Sequence, residues 1–310
     1  MRIITVFIFV ALGLNVISAQ QGFQISHNYN NQFVQNPAAT AIWDKTEISA
    51  YYSRAFNNVP NAPTDMFAGI QYAIPGQNAA VGASIISQSA GLTTLNNLSG
   101  SFSYKLKKLA NRDDYLSFGL GLKINQLKIR GTEAIVIDNE DPNYGGIESG
   151  IGINFQGGVF YSSSNKIGGR NSADYIFQFG AGVNSIDRVN NLNSIYTYDE
   201  DLQINAFASM IMAGNLDMIV RGYVESILLN KDQLNLTLGL RSTFSESFIA
   251  GASFDKFKNL GLELGYIFSA SSTGTTNATV QFGIPFNETR TFVQPGVGVS
   301  FLHTLENSYY

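Results

Sequence analysis

His27 and His303 are the only two histidines in a chain of 310 residues, and the chain contains no cysteine. A Ser-His-Asp set, or a metal held by two imidazoles, needs such groups close together. Here one lies before the region of regular pattern and the other at its end, so both read as solvated or packed imidazoles. The lack of cysteine excludes disulfides, zinc–thiolate sites and thiol nucleophiles. Two acidic stretches, Asp138 to Asp141 in "DNED" and Asp199 to Asp201 in "DED", offer oxygen ligands suited to calcium. Neither has the EF-hand spacing, and solvated acidic loops are the commoner meaning. Glycine runs such as "GAGVNS" are followed by no helical pattern and are not phosphate loops. The expectation is a protein that is not an enzyme and has no cofactor and no metal.

A second set of charges recurs every fourth residue. In "LDMIVRGYVES", Asp217, Arg221 and Glu225 share one face of an extended strand, and Arg241 and Glu263 occupy matching faces of later segments. A ring of one sign would tune a pore. Mixed signs cancel such a field, so these residues read as a paired network that braces the interior. Net charge is −4, with no basic stripe, so nucleic acid is not a partner.

These groups must be carried by strands. In "YLSFGLGLKINQLKI", residues 115–129, apolar side chains fall on alternate positions from Leu116 to Ile124, with Ser117, Gly119, Gly121 and Lys123 between them. "LSGSFSYKL", "YIFQFGAGV", "QLNLTLGLRSTF", "LGLELGYIF", "ATVQFGIPF" and "GVGVSFL" repeat the pattern. Turn signals divide the chain into strands near 46–55, 63–73, 79–89, 94–107, 115–129, 153–163 and 174–185, then 201–212, 216–228, 233–244, 247–255, 260–269, 276–285 and 295–303. That makes about fourteen strands of the length a tilted bilayer crossing requires. If each reverses direction, the three longest connections, 130–152, 186–200 and 286–294, all fall on one side, with 164–173 a long connection on the other. Long outer loops facing short periplasmic turns are the habit of outer-membrane barrels.

The apolar face could cover a soluble sandwich or meet lipid. Only 14% of residues are charged, against 30 Gly, 22 Phe and 15 Tyr. The polar faces are mostly Gly, Ser, Thr, Asn and Gln, while charges gather in connections such as "KLKKLANRDD" and "DNEDPNY". A soluble sandwich shows water a charged face; a barrel in a membrane reverses this. The expectation is an all-β transmembrane antiparallel barrel over 46–303. An open edge in hydrocarbon would leave backbone groups unpaired, so the sheet must close.

The N-terminus, "MRIITVFIFVALGLNVISA", has a basic start, an apolar stretch too short to span a bilayer and a small-residue exit. It reads as a cleaved signal peptide, residues 1–19. Residues 20–45 then form a periplasmic segment ahead of the barrel, and 304–310 a C-terminal tail.

Within the first hundred residues, "QNPAATA", "ISAYYSR", "NNVPNAPTDMFAGIQYAIP" and "NAAVGASI" go beyond a generic barrel. Asn36, Pro37 and Ala38, Tyr52 and Arg54, Ala62, Pro63 and Thr64, and Ala80 with Gly82 resemble motifs of the PorP/SprF family of type IX secretion system membrane proteins. Ala55-Phe56 stands where family members often have Gln-Trp, and Asn61 replaces the Gly before Ala-Pro. The resemblance implies a multi-pass barrel in the outer membrane of a Gram-negative bacterium. It would dock, anchor or help export a large secreted cell-surface adhesin in gliding or secretion. The implied partners are the adhesin's C-terminal domain, type IX secretion components and outer-membrane lipid. Aromatic residues dominate interface hot spots, so Tyr144, Tyr196 and Tyr198 in the outer connections are the candidate contacts. A small porin or hydrophobic-ligand transporter is the alternative.

Overall fold

The computed structural model describes residues 31–55, 59–110, 113–130, 147–148, 151–164, 175–190, 202–213, 218–229, 233–245, 247–255, 259–271, 274–285 and 296–305. The alternating segments are strands: β1 (Thr46–Arg54), β2 (Thr64–Ala73), β3 (Ala79–Ala90), β4 (Thr93–Lys107), β5 (Tyr115–Ile129), the two-residue β6 (Ile147–Glu148), β7 (Gly152–Ser162) and β8 (Tyr175–Asn190). They continue as β9 (Gln203–Ala213), β10 (Met218–Leu229), β11 (Gln233–Phe244), β12 (Phe248–Asp255), β13 (Asn259–Ser271), β14 (Gly274–Pro285) and β15 (Gly296–Leu305). Strand bounds agree with the sequence expectation to within a few residues at most ends. The largest difference is β8, which runs to Asn190 rather than 185. The connection after it is correspondingly shorter, from 191 to 202.

Every long strand pairs antiparallel with its neighbour, and β1 pairs with both β2 and β15. The sheet therefore closes into a barrel of fourteen long strands, with β6 a spur on β5. Closure leaves no edge for hydrocarbon to strand unpaired. Thr46 and Leu305 are register partners, so the first and last strands meet at one mouth. The connections 130–151, 191–202 and 286–295 leave from the opposite mouth, as an even strand count requires.

Side-chain alternation follows the sequence. On β5, Phe118, Leu120 and Leu122 point outward and are exposed, Leu120 by 70%, while Ser117 and Asn125 point inward and are buried. Outward Phe102, Tyr104, Phe155, Phe179, Leu240, Leu264 and Phe301 continue the apolar band around the wall. No helix among the described residues is long and apolar enough to cross a membrane. Thr304 and Leu305, expected in the tail, belong to β15 and pair with β14 and β1. Residues 1–19, expected to be a signal peptide, Asp138 to Asp141, Asp199 to Asp201 and residues 306–310 lie outside the described residues.

Candidate functional site

The barrel interior holds the chain's own N-terminal segment. Residues 31–45, expected ahead of the barrel on the periplasmic side, lie against inward faces of the wall. The physical reason is composition: "NQFVQNPAATAI" has no charged residue and several small ones, and the wall facing it carries glycine at its closest points. Two short 3₁₀ turns, Gln32–Val34 and Pro37–Ala39, fold the segment back on itself. Asn36 starts the second turn, its Oδ1 accepting from the Ala38 amide at 3.0 Å, with Pro37 preset at the first turn position.

The Asn36 amide also reaches the wall. Nδ2 donates to the carbonyl of Val159 on β7 at 3.0 Å and to that of Ala181 on β8 at 3.2 Å. These two residues face each other across the strand pair. Glycines make the approach possible. A Cβ built at Gly158 would lie 2.1 Å from Asn36 Oδ1, and one at Gly119 only 2.0 Å from the Ala38 nitrogen. Both distances are impossible for a real side chain, so glycine at these points is a condition for seating the turn.

On either side of the turn the segment is tied to further strands. Asn205 donates to the Gln35 carbonyl at 2.6 Å, and Gln156 to that of Val34 at 3.4 Å. The Thr40 hydroxyl lies 2.9 Å from that of Ser101, and Ser103 donates to the Thr40 carbonyl at 3.2 Å. Gln71 accepts from the Ala41 amide at 2.8 Å, and Ser49 donates to Asn31 at 2.7 Å. Groups that would otherwise face a wet lumen are thus satisfied by protein.

Two apolar clusters complete the seat. Phe33 and Val34 pack with Tyr51, Phe67 and Ile86 on β1, β2 and β3. Ala38, Ala39 and Ile42, with Trp43 beside them, pack with Tyr115, Phe160, Phe207 and Tyr223 on β5, β7, β9 and β10. Tyr115, Phe160 and Phe207 form a stacked row with ring centres 6.5 Å apart at each step. The Tyr115 hydroxyl donates to the Ile42 carbonyl at 2.9 Å.

At the mouth where β1 begins, Asp44 pairs with Lys105 at 2.7 Å and with Lys107 at 2.8 Å. The Lys105 ammonium also donates to the Ala41 carbonyl and lies over the Tyr115 ring. Its side chain is 2% exposed, so its charge depends on these partners.

Among the described residues, charges on the inward faces of β10, β11 and β13 meet partners, as their mixed signs imply. Arg241 and Glu263 form an ion pair at 3.5 Å, and Arg221 donates to Gln178 at 2.7 Å and lies against the Phe207 ring. Glu225 is buried on the same face of β10 as Arg221. Asp217 lies outside the described residues. His303 shares a hydrogen bond of 2.7 Å with the Thr276 hydroxyl. No group of three or more potential metal ligands occurs among the described residues.

The motif residues separate into two places. Asn36, Pro37 and Ala38 are the lumen turn. Arg54 and Thr64 are register partners at the other end of β1 and β2, where Arg54 donates to the Val59 carbonyl at 3.2 Å and buried Ala62 lies in the connection. Ala55 donates to the carbonyl of Pro63 at 2.9 Å, and Tyr52 faces outward. The second and third motifs together build one hairpin. Tyr144, Tyr196 and Tyr198 lie outside the described residues. Sequence reading missed Gly119, Gly158, Gln156, Asn205 and Lys105 as partners of the segment. Inward glycines in "FGLG" and "QGGVF" were the available signal, since a missing Cβ marks a close approach.

The family model for the type IX secretion system membrane protein PorP/SprF matches residues 17–290. No curated protein matches the sequence. Among solved structures, the CymD monoaromatic hydrocarbon channel is similar with a TM-score of 0.55 at 10% identity, covering 94% of this chain and 95% of that one. The Ralstonia pickettii toluene transporter TbuX gives 0.55 at 9% identity, covering 89% and 93%. The P. putida toluene transporter TodX gives 0.51 at 8%, covering 89% and 93%. At such identity the likeness is one of fold: an outer-membrane barrel.

Proposed function

The chain belongs to the PorP/SprF family of type IX secretion system membrane proteins, and on that premise we propose that it docks, anchors or helps export a large secreted adhesin at the cell surface. The family match over most of the chain is the observation that carries this reading. On this reading the protein is a partner of the secretion machinery in the outer membrane and works by binding, without enzymatic chemistry. The fold supports a binding role, because a rigid closed wall presents the connections 130–151, 191–202 and 286–295 together at one mouth. On this reading Tyr144, Tyr196 and Tyr198 are anchors for the adhesin's C-terminal domain, and outer-membrane lipid surrounds the apolar band.

Purification from membranes in mild detergent tests the proposal. The barrel is expected to bring down a large secreted protein or type IX components, and the Tyr196→Ala/Tyr198→Ala double variant to bring down less while folding normally. Recovery of the native barrel alone, without either class of partner, contradicts the reading.

A further inference from the structure

The segment 31–45 does more than brace the wall: we propose that it closes the lumen, so that the native barrel is a sealed platform and not a conduit. Barrel width sets the need. About eight strands leave an interior that wall side chains alone can fill, and sixteen to eighteen leave an aqueous channel. Fourteen long strands fall between these, and the N-terminal segment supplies the missing filling.

Burial around the wall shows how far that filling reaches. Ser103, Ser117, Ser162 and Gln178 are inward polar side chains that water would reach in an open pore, and each is 0% exposed. Many inward residues from β1 to β10 are buried, among them Tyr51, Gln71, Ala80, Lys105, Tyr115, Phe160, Asn205 and Tyr223. In front of β11 to β15 the inward side chains are mostly half-buried. There the Arg241–Glu263 pair and buried Ile249 and Thr279 occupy the interior.

The closure is built as a fixed part. It is held to β7 and β8 by Asn36, to β9 by Asn205, to β4 by Thr40 and Lys105, and to β2 by Gln71. Its seat includes Gly119, where an added Cβ would lie 2.0 Å from the Ala38 backbone nitrogen, and Gly158, where one would lie 2.1 Å from the Asn36 side chain. A wall shaped around its own N-terminal turn serves occlusion. A conduit would keep such polar positions wet.

Planar-bilayer recording of the refolded full chain decides the matter, with folding verified by heat-modifiable gel migration. The native protein is expected to show no steps, or steps at least an order of magnitude below those of Gly119→Val, whose added side chain unseats the turn. Should Gly119→Val not fold, Asn36→Ala, which removes contacts and adds none, takes its place. Large native steps overturn the proposal. So does a folded, unseated variant that stays as silent as the native barrel, since something else would then close the lumen. Neither result depends on which protein binds outside, so the partner reading stands or falls separately.

Discussion

Asn36 and Val159 are 123 residues apart in sequence, yet the Asn36 side chain donates to the Val159 carbonyl at 3.0 Å inside the barrel. The same amide reaches Ala181, and its oxygen caps the turn that follows. One side chain thus fixes a turn and attaches it to two strands.

Replacing that amide gives the first prediction. Asn36→Ala removes a cap and two wall bonds and should destabilise the folded barrel by roughly 1–3 kcal/mol. Asn36→Asp keeps the shape, but a carboxylate accepts only, and it would face two carbonyl oxygens. It should therefore cost more than alanine. Urea unfolding in lipid vesicles, followed by gel migration, gives the order; an aspartate variant as stable as the native protein would count against the assigned bonds.

Lys105 and Asp44 give the second. Breaking a buried pair by removing one partner costs about 3–5 kcal/mol, because the other charge is left uncompensated. Asp44→Ala should show a loss of that order, and adding Lys105→Met should restore part of it. A double-mutant cycle measures the coupling. Simple additivity would mean that the Asp44–Lys105 contact at 2.7 Å contributes nothing of its own.

The third concerns the lipid face. Leu120 lies near the middle of β5 and is 70% exposed, while Leu106 lies at the end of β4. Arginine at a membrane midplane costs roughly 2–4 kcal/mol and near an interface roughly 0–1. Leu120→Arg should therefore destabilise clearly more than Leu106→Arg when unfolding is measured in bilayers. Equal costs would contradict the placement of the apolar band.

The wall was legible in the sequence and its occupant was not, for one physical reason. Strands such as Tyr115–Ile129 declare themselves because every second residue answers to lipid, and that demand writes a period of two over many residues. Residues 31–45 answer to no period. Their partners are single residues on separate strands, such as Gln71, Ser101, Gly119, Gln156 and Asn205. Asn36-Pro37-Ala38 stood out as a motif, but nothing local to it says that the turn lies in a lumen. That information is held by Gly119 and Gly158, which read as ordinary strand glycines until something is seen to press on them. The charges on β10, β11 and β13 were readable, since mixed signs on matching faces predict pairing, and Arg241 does meet Glu263.

The seating of the N-terminal segment is tested most directly by cross-linking. The chain has no cysteine, so an engineered pair reports without background. Thr40 and Ser101 have their hydroxyl oxygens 2.9 Å apart, in the positions the two sulfurs of a cysteine pair would occupy. The double variant Thr40→Cys/Ser101→Cys, folded in outer membranes and mildly oxidised, should close to a disulfide. The control Thr40→Cys/Leu120→Cys, with the second site on the lipid face, should not. If instead both thiols of the first variant remain free and label with a maleimide in the folded barrel, the segment does not sit where this account puts it.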